Sequence, residues 1–303
     1  MGDGRDKRDP ASRTAAGAAM WRAVGATEPD PRGRNPDRLA RLFLPPTYRL
    51  LLLNPRLARW AIRRFDRRVP GGYCFETART KHMDLLLRDQ IAAGVSQVVI
   101  LGAGYDTRAH RLAAAFEDTA IFEVDMPAIQ ERKRRRLARY DGPSASGLRY
   151  IAVDRDHRDL FERLVEAGYE GRRRTFFIWS GVTMYLRPSA FTETLADIRR
   201  GSGAGSAVLF DYFSAGAVNG TSDAHGARQI ARRVEELGEP LSFGAEPDEM
   251  GALLERSGFE LVSNLGPEEL AERYLRRARG RSPKQPFGFA FIAEARSRGG
   301  ASA

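Results

Sequence analysis

The stretch that decides the fold is "QVVILGAGYDTRAHRL", residues 97 to 112. A short apolar run (97–101) leads into the glycine loop Gly102-Ala103-Gly104, and helical text follows the loop. A strand that passes through a glycine loop into a helix is typical of a nucleotide-binding α/β sheet. A dinucleotide-binding loop would carry a third glycine where Thr107 stands, so the sequence predicts a ligand other than a dinucleotide.

Six further apolar runs have the length of strands, and helical text separates most of them. Strands that alternate with helices predict a mainly parallel sheet covered by helices on both faces. The six runs lie at 120–125, 149–154, 175–179, 207–213, 259–265 and 287–295.

The remaining text divides the chain into regions. Residues 11–95 show helical spacing of apolar positions, which predicts a helical N-terminal region. We expect this region to form a lid that shapes a substrate pocket. Trp21, Phe43 and Trp60 either line that pocket or pack between the helices. Residues 96–296 form the predicted α/β domain, with a helical insertion at about 215–257, where Pro247 suits a first helical turn and Gly258 a C-terminal cap. The polar ends, 1–10 and 297–303, are predicted to be disordered.

Composition favours a water-soluble globular protein without a membrane partner. The 303 residues are 42% hydrophobic and 29% charged, and the longest all-leucine run, Leu50 to Leu53, is far shorter than the ~20 residues of a membrane span. No apolar secretory signal opens the chain, and the single cysteine, Cys74, cannot form an internal disulfide. We therefore expect a cytoplasmic location.

The net charge is +10 and the isoelectric point is about 10.1. Only four of the 49 basic residues are lysines, which indicates a GC-rich coding bias rather than a polyanionic partner. The densest basic run, 132–139, is predicted to be a surface helix, and no aromatic residues interleave with it to stack on bases. Nucleic acid is therefore not expected as a partner.

Acidic residues end two of the predicted strands. Asp125, after Glu123, stands about twenty residues beyond the glycine loop, where a carboxylate suits the two hydroxyls of a ribose, and Asp154 could accept from an adenine amine. The alternative is that both aspartates cap turns or helices. A nucleoside ligand without pyrophosphate fits this set, and S-adenosylmethionine is one. Arg79 could bind the carboxylate of its amino-acid tail.

At this point the chain resembles a known family. "LGAGYDTRAHRL", "FEVDMPAIQERKRRRL", "YIAVDRDHRDL" and "WSGVTMYL" are similar to motifs of the leucine carboxyl methyltransferase-like group of S-adenosylmethionine-dependent enzymes, which includes actinobacterial and polyketide-tailoring members. "SRTAAGAAMWRA", "ARTKHMD", "GEPLSFGAEPDEMGALLERSGFELV" and "ELAERYL" resemble its flanking motifs in the same order. The resemblance covers most of the chain.

The resemblance implies an α/β fold with a Rossmann-like, seven-stranded methyltransferase sheet, mostly parallel with an antiparallel final strand. It also implies S-adenosylmethionine contacts at the positions Arg79, Gly102, Asp125, Asp154, Arg155 and Ser180, with Gly104 in the same loop. The family usually carries glutamate where this chain has Ser180, next to the methionyl amine. Without that charged hydrogen-bond acceptor, the affinity for the cofactor would fall about tenfold, unless another carboxylate accepts from the amine.

Methyl transfer places modest demands on the protein. An ionised carboxylate acceptor needs no general base, whereas a phenol or alcohol would want one. His82 and His110 flank the predicted site but are expected to be hydrogen-bonding residues, and Cys74 has no evident activating partner. No metal site is expected. Tyr185 and Tyr212 are the predicted substrate contacts, with Phe213 beside the substrate or in the core and Tyr105 beside the cofactor.

The sequence therefore favours an S-adenosylmethionine-dependent O-methyltransferase of a small molecule. A carboxyl group of a secondary metabolite such as a polyketide is the favoured acceptor, and a hydroxyl group is the next. The alternative is a methyltransferase fold repurposed for a cyclisation or rearrangement without methyl transfer, which Ser180 would favour. An RNA methyltransferase, which the net charge alone suggests, is a third interpretation. The acceptor and the oligomeric state stay open.

Overall fold

The computed structural model describes residues 10–153, 159–238, 240–276 and 284–298. Within these ranges seven strands form one sheet in the order β3-β2-β1-β4-β5-β7-β6. The strands from β1 to β5 pair in parallel, and β6 pairs antiparallel with β7. The bounds are β1 Gln97–Leu101, β2 Ala120–Asp125, β3 Leu148–Ala152, β4 Thr175–Trp179, β5 Ala207–Phe213, β6 Phe259–Leu265 and β7 Ala290–Ser297. The predicted class of sheet is confirmed.

Twelve α-helices lie in the described residues, and the helical text before the sheet folds as predicted. Short 3-10 turns occur at Pro31–Gly33, Leu39–Phe43, Ala113–Phe116 and Thr183–Tyr185. The helices are α1 Pro10–Gly25, α2 Pro46–Leu53, α3 Pro55–Arg68, α4 Gly72–Ala92, α5 Arg108–Arg111, α6 Pro127–Leu137, α7 Leu160–Glu166, α8 Pro188–Gly201, α9 Ala215–Val218, α10 Ala227–Leu237, α11 Met250–Arg256 and α12 Pro267–Tyr274. Gly258 follows α11 at φ +83°, the left-handed conformation expected of a C-terminal cap, while Pro247 lies in the turn before it.

The central strands are apolar on both faces because helices cover both. All five residues of β1 and of β4 are buried. The strand β3 lies at the edge of the sheet, where Arg149 and Ala152 are exposed, so it has a weaker apolar signal. It ends at Ala152, two residues before the predicted end.

Strand register brings the predicted ligand-binding positions level with one another. Leu101 of β1 pairs with Val124 of β2 and with Trp179 of β4. Trp179 in turn pairs with Phe210 of β5. When each register is continued by one residue, Gly102, Asp125, Ser180 and Asp211 form a single row across the carboxyl ends of four strands, which is where α/β sheets bind ligands.

Stacked aromatic side chains pack against the carboxyl end of β4. The ring of Phe191 from α8 stacks on Trp179, with the ring centroids 5.4 Å apart, and on Phe243, with the centroids 4.2 Å apart. All three side chains are buried, and each contributes about 1.5–3 kcal/mol to stability through lost contact with water. The ends of β4 and the 242–245 segment are therefore held in place by packing.

The chain separates into two compact units. The first contains residues 1–82, 215–241 and 266–290, and the second contains 83–214, 242–265 and 291–303. Part of the predicted insertion, 215–241, thus groups with the N-terminal helices, and the sheet belongs to the second unit. The boundaries of a separate lid remain a prediction.

No helix within the described residues is long and apolar enough to cross a membrane.

Candidate cofactor site at the carboxyl ends of the strands

The glycine loop adopts a conformation that side chains would disturb. Gly102 has φ +61° and Gly104 has φ +46°, both in the left-handed region that favours glycine. A Cβ atom on Gly102 would lie 2.5 Å from Cγ2 of Val182, closer than two carbons can approach. Gly102 is therefore required because the loop after β1 rests against the loop after β4.

Asp125 braces the glycine loop from the end of β2. Its Oδ2 accepts a 2.5 Å hydrogen bond from the amide of Gly104, and its Oδ1 accepts a 2.7 Å bond from the amide of Met126. The residue is 8% exposed, so the carboxylate sits at the edge of the protein interior. This geometry places an anionic acceptor directly beside the loop, and its role toward a ribose stays a prediction.

A buried ionic network holds the segment that follows the loop. Arg108 and Arg111 of α5 both donate to Asp84 of α4, with Arg108 Nε 2.9 Å from Oδ1 and Arg111 Nη1 2.8 Å from Oδ2. Arg108 also pairs with Asp106 of the loop. Burial would raise the pKa of Asp106, but Arg108 and Lys133 overcome that effect and lower it to about 2. Asp106 is thus ionised at neutral pH and locks the loop onto α5.

A buried ion pair lies in the interior at Glu123, two residues before Asp125 on the same strand. Lys133 Nζ of α6 lies 2.5 Å from Oε2 of Glu123, and both side chains are 1% exposed. Gln130 of the same helix donates to the backbone carbonyls of Glu123 and Ile151, at 2.9 and 2.7 Å. These bonds fasten α6 to β2 and β3. Burial raises the pKa of Glu123 to about 7, although the Lys133 ammonium opposes this rise.

The loop after β4 is anchored to β5. Gly181 donates its amide hydrogen to Oδ1 of the fully buried Asp211 at 2.6 Å, and the Thr183 hydroxyl donates to the carbonyl of Asp211. Ser180 is half-buried at the start of this loop, in the predicted position. Asp211 is a carboxylate near Ser180 that the sequence reasoning did not single out, and it serves the loop backbone.

The two predicted substrate contacts differ in environment. Tyr185 is half-buried after the loop, close to the backbone of Met184 that accepts a 2.8 Å bond from Ser242. Tyr212 is fully buried: its hydroxyl bonds to the side chain of Asn264, and its ring stacks on Phe291 with the centroids 5.4 Å apart. This environment does not favour Tyr212 as a direct substrate contact. Phe213 and Tyr105 are buried as well.

Arg79 belongs to the first, helical unit. Its guanidinium pairs with Glu76 one turn earlier in α4 and lies over the ring of Phe75, 5.5 Å from the centroid. Asp154 and Arg155 lie outside the described residues, so their predicted adenine-side role stays a prediction. Of the possible lid residues, Trp21 packs edge-on against Phe287, Phe43 is buried and Trp60 is exposed.

The candidate bases have pKa values unsuited to proton transfer near neutrality. Burial, aided by Arg273, lowers the pKa of His82 to about 4, and its Nδ1 lies 2.8 Å from the Tyr274 hydroxyl. Burial, aided by Lys133, lowers the pKa of His110 to about 4. Burial raises the pKa of the Cys74 thiol to about 12. Both histidines are neutral and the thiol is protonated at pH 7.

The buried His110 predicts sensitivity to acid. The residue is 8% exposed, neither ring nitrogen has a hydrogen-bond partner among the described residues, and the ring packs edge-on against Tyr140. Because the folded pKa lies below the unfolded value of ~6.5, the unfolded chain takes up the proton first, and stability falls as the pH drops from about 6.5 to about 4. We expect His110→Phe to remove about 2 kcal/mol of the stability loss between pH 7 and pH 5.

Urea denaturation of both proteins at the two pH values measures this difference. His225→Phe, at a site without this burial, serves as the control. Equal acid sensitivity in wild type and His110→Phe would contradict the prediction.

Several functional contacts escaped the sequence analysis. Asp84 and Asp211 are buried carboxylates and Asp106 is a half-buried one, and none of the three stands at a predicted strand end. Lys133 lay in a run interpreted as a surface helix; the helix is present, and Arg134 and Arg135 are exposed, but Lys133 is buried. Its rarity was the available signal, since it is one of four lysines in an arginine-rich chain.

The arrangement fits a nucleoside better than a phosphate ligand. Asp125 offers a carboxylate, which accepts from hydroxyl groups and repels phosphate, and the glycine loop keeps side chains away from a ligand that approaches the backbone. Among the described residues there is no cluster of three or more histidine, cysteine, aspartate or glutamate side chains that could hold a metal ion. The residues thus fit the adenosine part of S-adenosylmethionine.

Known proteins are similar to this chain in sequence. A protein of Mycobacterium avium (strain 104), named as a candidate S-adenosyl-L-methionine-dependent methyltransferase, is 36% identical over 210 residues, which are 65% of this chain and 64% of that protein. The chain therefore matches less than two thirds of the length of that relative. A protein of Mycolicibacterium paratuberculosis (strain ATCC BAA-968 / K-10), with the same name, is 31% identical over 269 residues, 85% of this chain and 82% of that protein.

Solved structures support the fold. A candidate methyltransferase from Thermobifida fusca aligns with a TM-score of 0.58 at 17% identity, over 80% of this chain and 88% of that one. A DUF574 family protein from Streptomyces avermitilis aligns with a TM-score of 0.57 at 14% identity, over 80% and 90%. The family model described as leucine carboxyl methyltransferase matches residues 15–199. The match covers more than half of the sequence, so the chain belongs to the leucine carboxyl methyltransferase family.

Proposed function

We propose that this chain is an S-adenosylmethionine-dependent methyltransferase that methylates an oxygen atom of a small molecule, with a carboxyl group as the favoured acceptor. The carrying observation is the Asp125 carboxylate, held beside the Gly102–Gly104 loop at the end of β2 in a member of this family. The names of the relatives at 31–36% identity support the cofactor.

Each side chain has a task in this proposal. When bound, the cofactor supplies a methyl group that is activated by the positive sulfonium. Asp125 accepts hydrogen bonds from the ribose hydroxyls, and Gly102 and Gly104 let the nucleoside approach the backbone. Arg79 remains the predicted partner of the cofactor carboxylate, and Ser180 the predicted neighbour of its amine. The protein then needs only to align the acceptor oxygen with the methyl carbon.

The protonation states of the described residues favour a carboxyl acceptor. His82 and His110 have pKa values of about 4, so each imidazole is too weak a base to remove the proton of a phenol or an alcohol. Burial raises the pKa of Tyr212 to about 12, so its hydroxyl stays protonated. A carboxylate acceptor is already ionised and requires no base. A secondary metabolite such as a polyketide acid, in the cytoplasm, is the proposed substrate setting.

A second candidate function follows from Ser180. A neutral side chain at this position removes one charged acceptor from the methionyl end of the predicted cofactor site, and such a site could serve a cyclisation or rearrangement without methyl transfer. The two candidates differ in the fate of the methyl group, which makes them separable by one assay. The RNA methyltransferase interpretation rests on charge alone and would require salt-sensitive RNA binding.

The test uses cofactor with a labelled methyl group and two panels of acceptors, hydrophobic carboxylic acids and phenols. The proposal predicts label in an ester that mild alkali hydrolyses. Label in an alkali-stable ether would overturn the carboxyl assignment but keep the methyltransferase. Tight cofactor binding with no labelled product from either panel or from an extract of the source cells would favour the second candidate.

Ser180→Glu provides a gain-of-affinity prediction. A carboxylate replaces a neutral acceptor beside the predicted position of the methionyl amine, and the charged bond is stronger by ~1–1.5 kcal/mol. We expect S-adenosylhomocysteine to bind about tenfold more tightly by calorimetry. Ser180→Gln, which has the same length without the charge, is the control and should bind like wild type. No gain in Ser180→Glu would show that the amine lies elsewhere.

A further inference from the structure

Exposed apolar side chains concentrate in one short segment of the helical unit. Among the described residues, eight large hydrophobic side chains are exposed, and five of these lie between residues 48 and 60. Leu50 and Leu53 of α2 are each 68% exposed, and Leu57 and Trp60 of α3 are each 46% exposed; Tyr48 is the fifth. The helix α2 buries no residue at all. Leu52 packs against the Ala23–Ala40–Leu44 cluster, but packing does not account for the exposed Leu50 and Leu53.

Positive charge surrounds these side chains. Residues 38–68 contain nine arginines and one acidic residue, Asp66, which gives this segment most of the net charge of the protein. On α3 the arginines Arg56, Arg59, Arg63 and Arg64 are exposed, and the Arg64 guanidinium lies over the ring of Trp60, 5.8 Å from the centroid. We name the exposed residues Tyr48, Leu50, Leu53, Leu57 and Trp60, with these four arginines, the leucine–arginine face.

We propose that the leucine–arginine face binds the surface of an anionic lipid bilayer. Leucine and tryptophan side chains at this spacing suit insertion into the headgroup boundary, and arginines beside them attract acidic headgroups while their stems contact apolar surface. Tryptophan is enriched at membrane–water interfaces because its large apolar ring carries a polar N–H group. Such binding needs no spanning helix. It goes beyond methyl transfer and would revise the expectation, drawn from the sequence, that a membrane is not a partner.

The charge distribution argues against two other occupants. A symmetric dimer through this face would bring two strongly positive surfaces together, which like-charge repulsion opposes. Nucleic acid could use the arginines and the two rings, but the exposed leucines Leu50, Leu53 and Leu57 give it neither stacking nor phosphate contacts, whereas a bilayer accommodates all of these side chains. An acidic protein surface has the right charge, and the experiment separates it from a bilayer.

The test is co-sedimentation of the full chain with phosphatidylcholine vesicles that contain or lack phosphatidylglycerol. We expect binding to the anionic vesicles at least about tenfold stronger than to the neutral ones, and a steep loss in high salt. Leu50→Glu/Leu53→Glu removes the insertion and should weaken binding at least tenfold. Arg59→Glu/Arg63→Glu should weaken binding to anionic vesicles only. Val165→Glu, an exposed apolar site of the other unit, is the matched control.

Defined outcomes would overturn the proposal. The proposal fails if the same fraction of the protein sediments with and without anionic vesicles. It also fails if Leu50→Glu/Leu53→Glu binds anionic vesicles as tightly as the wild type. A protein that binds poly-L-glutamate but not anionic vesicles would assign the face to an acidic protein partner. A dimer in light scattering that the leucine variant converts to monomer would assign it to a second copy. Circular dichroism melting confirms that each variant is folded, and none of these readouts depends on methyl transfer.

Discussion

Asp125→Ala is expected to weaken the binding of S-adenosylhomocysteine at least about a hundredfold. The carboxylate is predicted to accept two ribose hydroxyls, and each charge-assisted hydrogen bond is worth ~1.5–3 kcal/mol. The same side chain also holds the amide of Gly104, so its loss frees the glycine loop as well. Calorimetric titration with S-adenosylhomocysteine measures the effect without any need for an acceptor substrate.

Two controls make this result specific. Asp125→Asn keeps the shape and one good acceptor, so it should lose about tenfold, between wild type and alanine. Asp118→Ala alters an exposed aspartate in the same unit and should bind like wild type. If Asp125→Ala retained wild-type affinity while its melting temperature was unchanged, the site would have to be sought away from the end of β2.

Lys133→Met is expected to lower the free energy of unfolding by about 3–5 kcal/mol at pH 8. It leaves Glu123 buried without its cation, and an uncompensated charge in the interior is costly. The loss should shrink as the pH falls toward 5, because burial already raises the pKa of Glu123 to about 7 and the lone carboxyl escapes its penalty by taking a proton. Urea denaturation at the two pH values measures both effects.

The double variant Glu123→Met/Lys133→Met separates pairing from packing. It removes both charges and fills similar volume, so it should recover most of the loss. Arg135→Met, on the exposed side of the same helix and in a loose 3.8 Å pair with Glu131, should change stability by less than about 0.5 kcal/mol. A double variant as unstable as Lys133→Met would show that the contacts of the two side chains, rather than the unpaired charge, cause the loss.

The strands could be predicted because their residues carry the signal themselves. β1, β2, β4, β5 and β6 begin and end where the apolar runs do, since both faces of most of them meet helices. The last strand was predicted at 287–295 but runs from Ala290 to Ser297. Phe287 and Phe289 instead pack in the helical unit, where Phe287 meets Phe75 with centroids 5.7 Å apart. Aromatic residues give the same signal in either setting.

The site was predictable only at the strand ends. Asp125 and Gly102 follow runs whose ends the sequence reveals, so topology alone places them. Asp211 lies inside the apolar run of β5, and its task depends on the amide of Gly181, thirty residues earlier. Contacts of this kind depend on which strands are neighbours and in which register, and no local pattern encodes them.

The few lysines of this arginine-rich chain occupy particular structural positions. In a chain where arginine has displaced lysine almost everywhere, all three described lysines make interior or half-buried contacts: Lys133 with Glu123, Lys81 with the carbonyls of Arg32 and Tyr274, and Lys284 with Glu28 over the ring of Tyr73. A slender ammonium enters spaces that a flat, forked guanidinium overfills. Exchange of these lysines for arginine, the mildest of replacements on paper, should therefore be among the least tolerated in this protein.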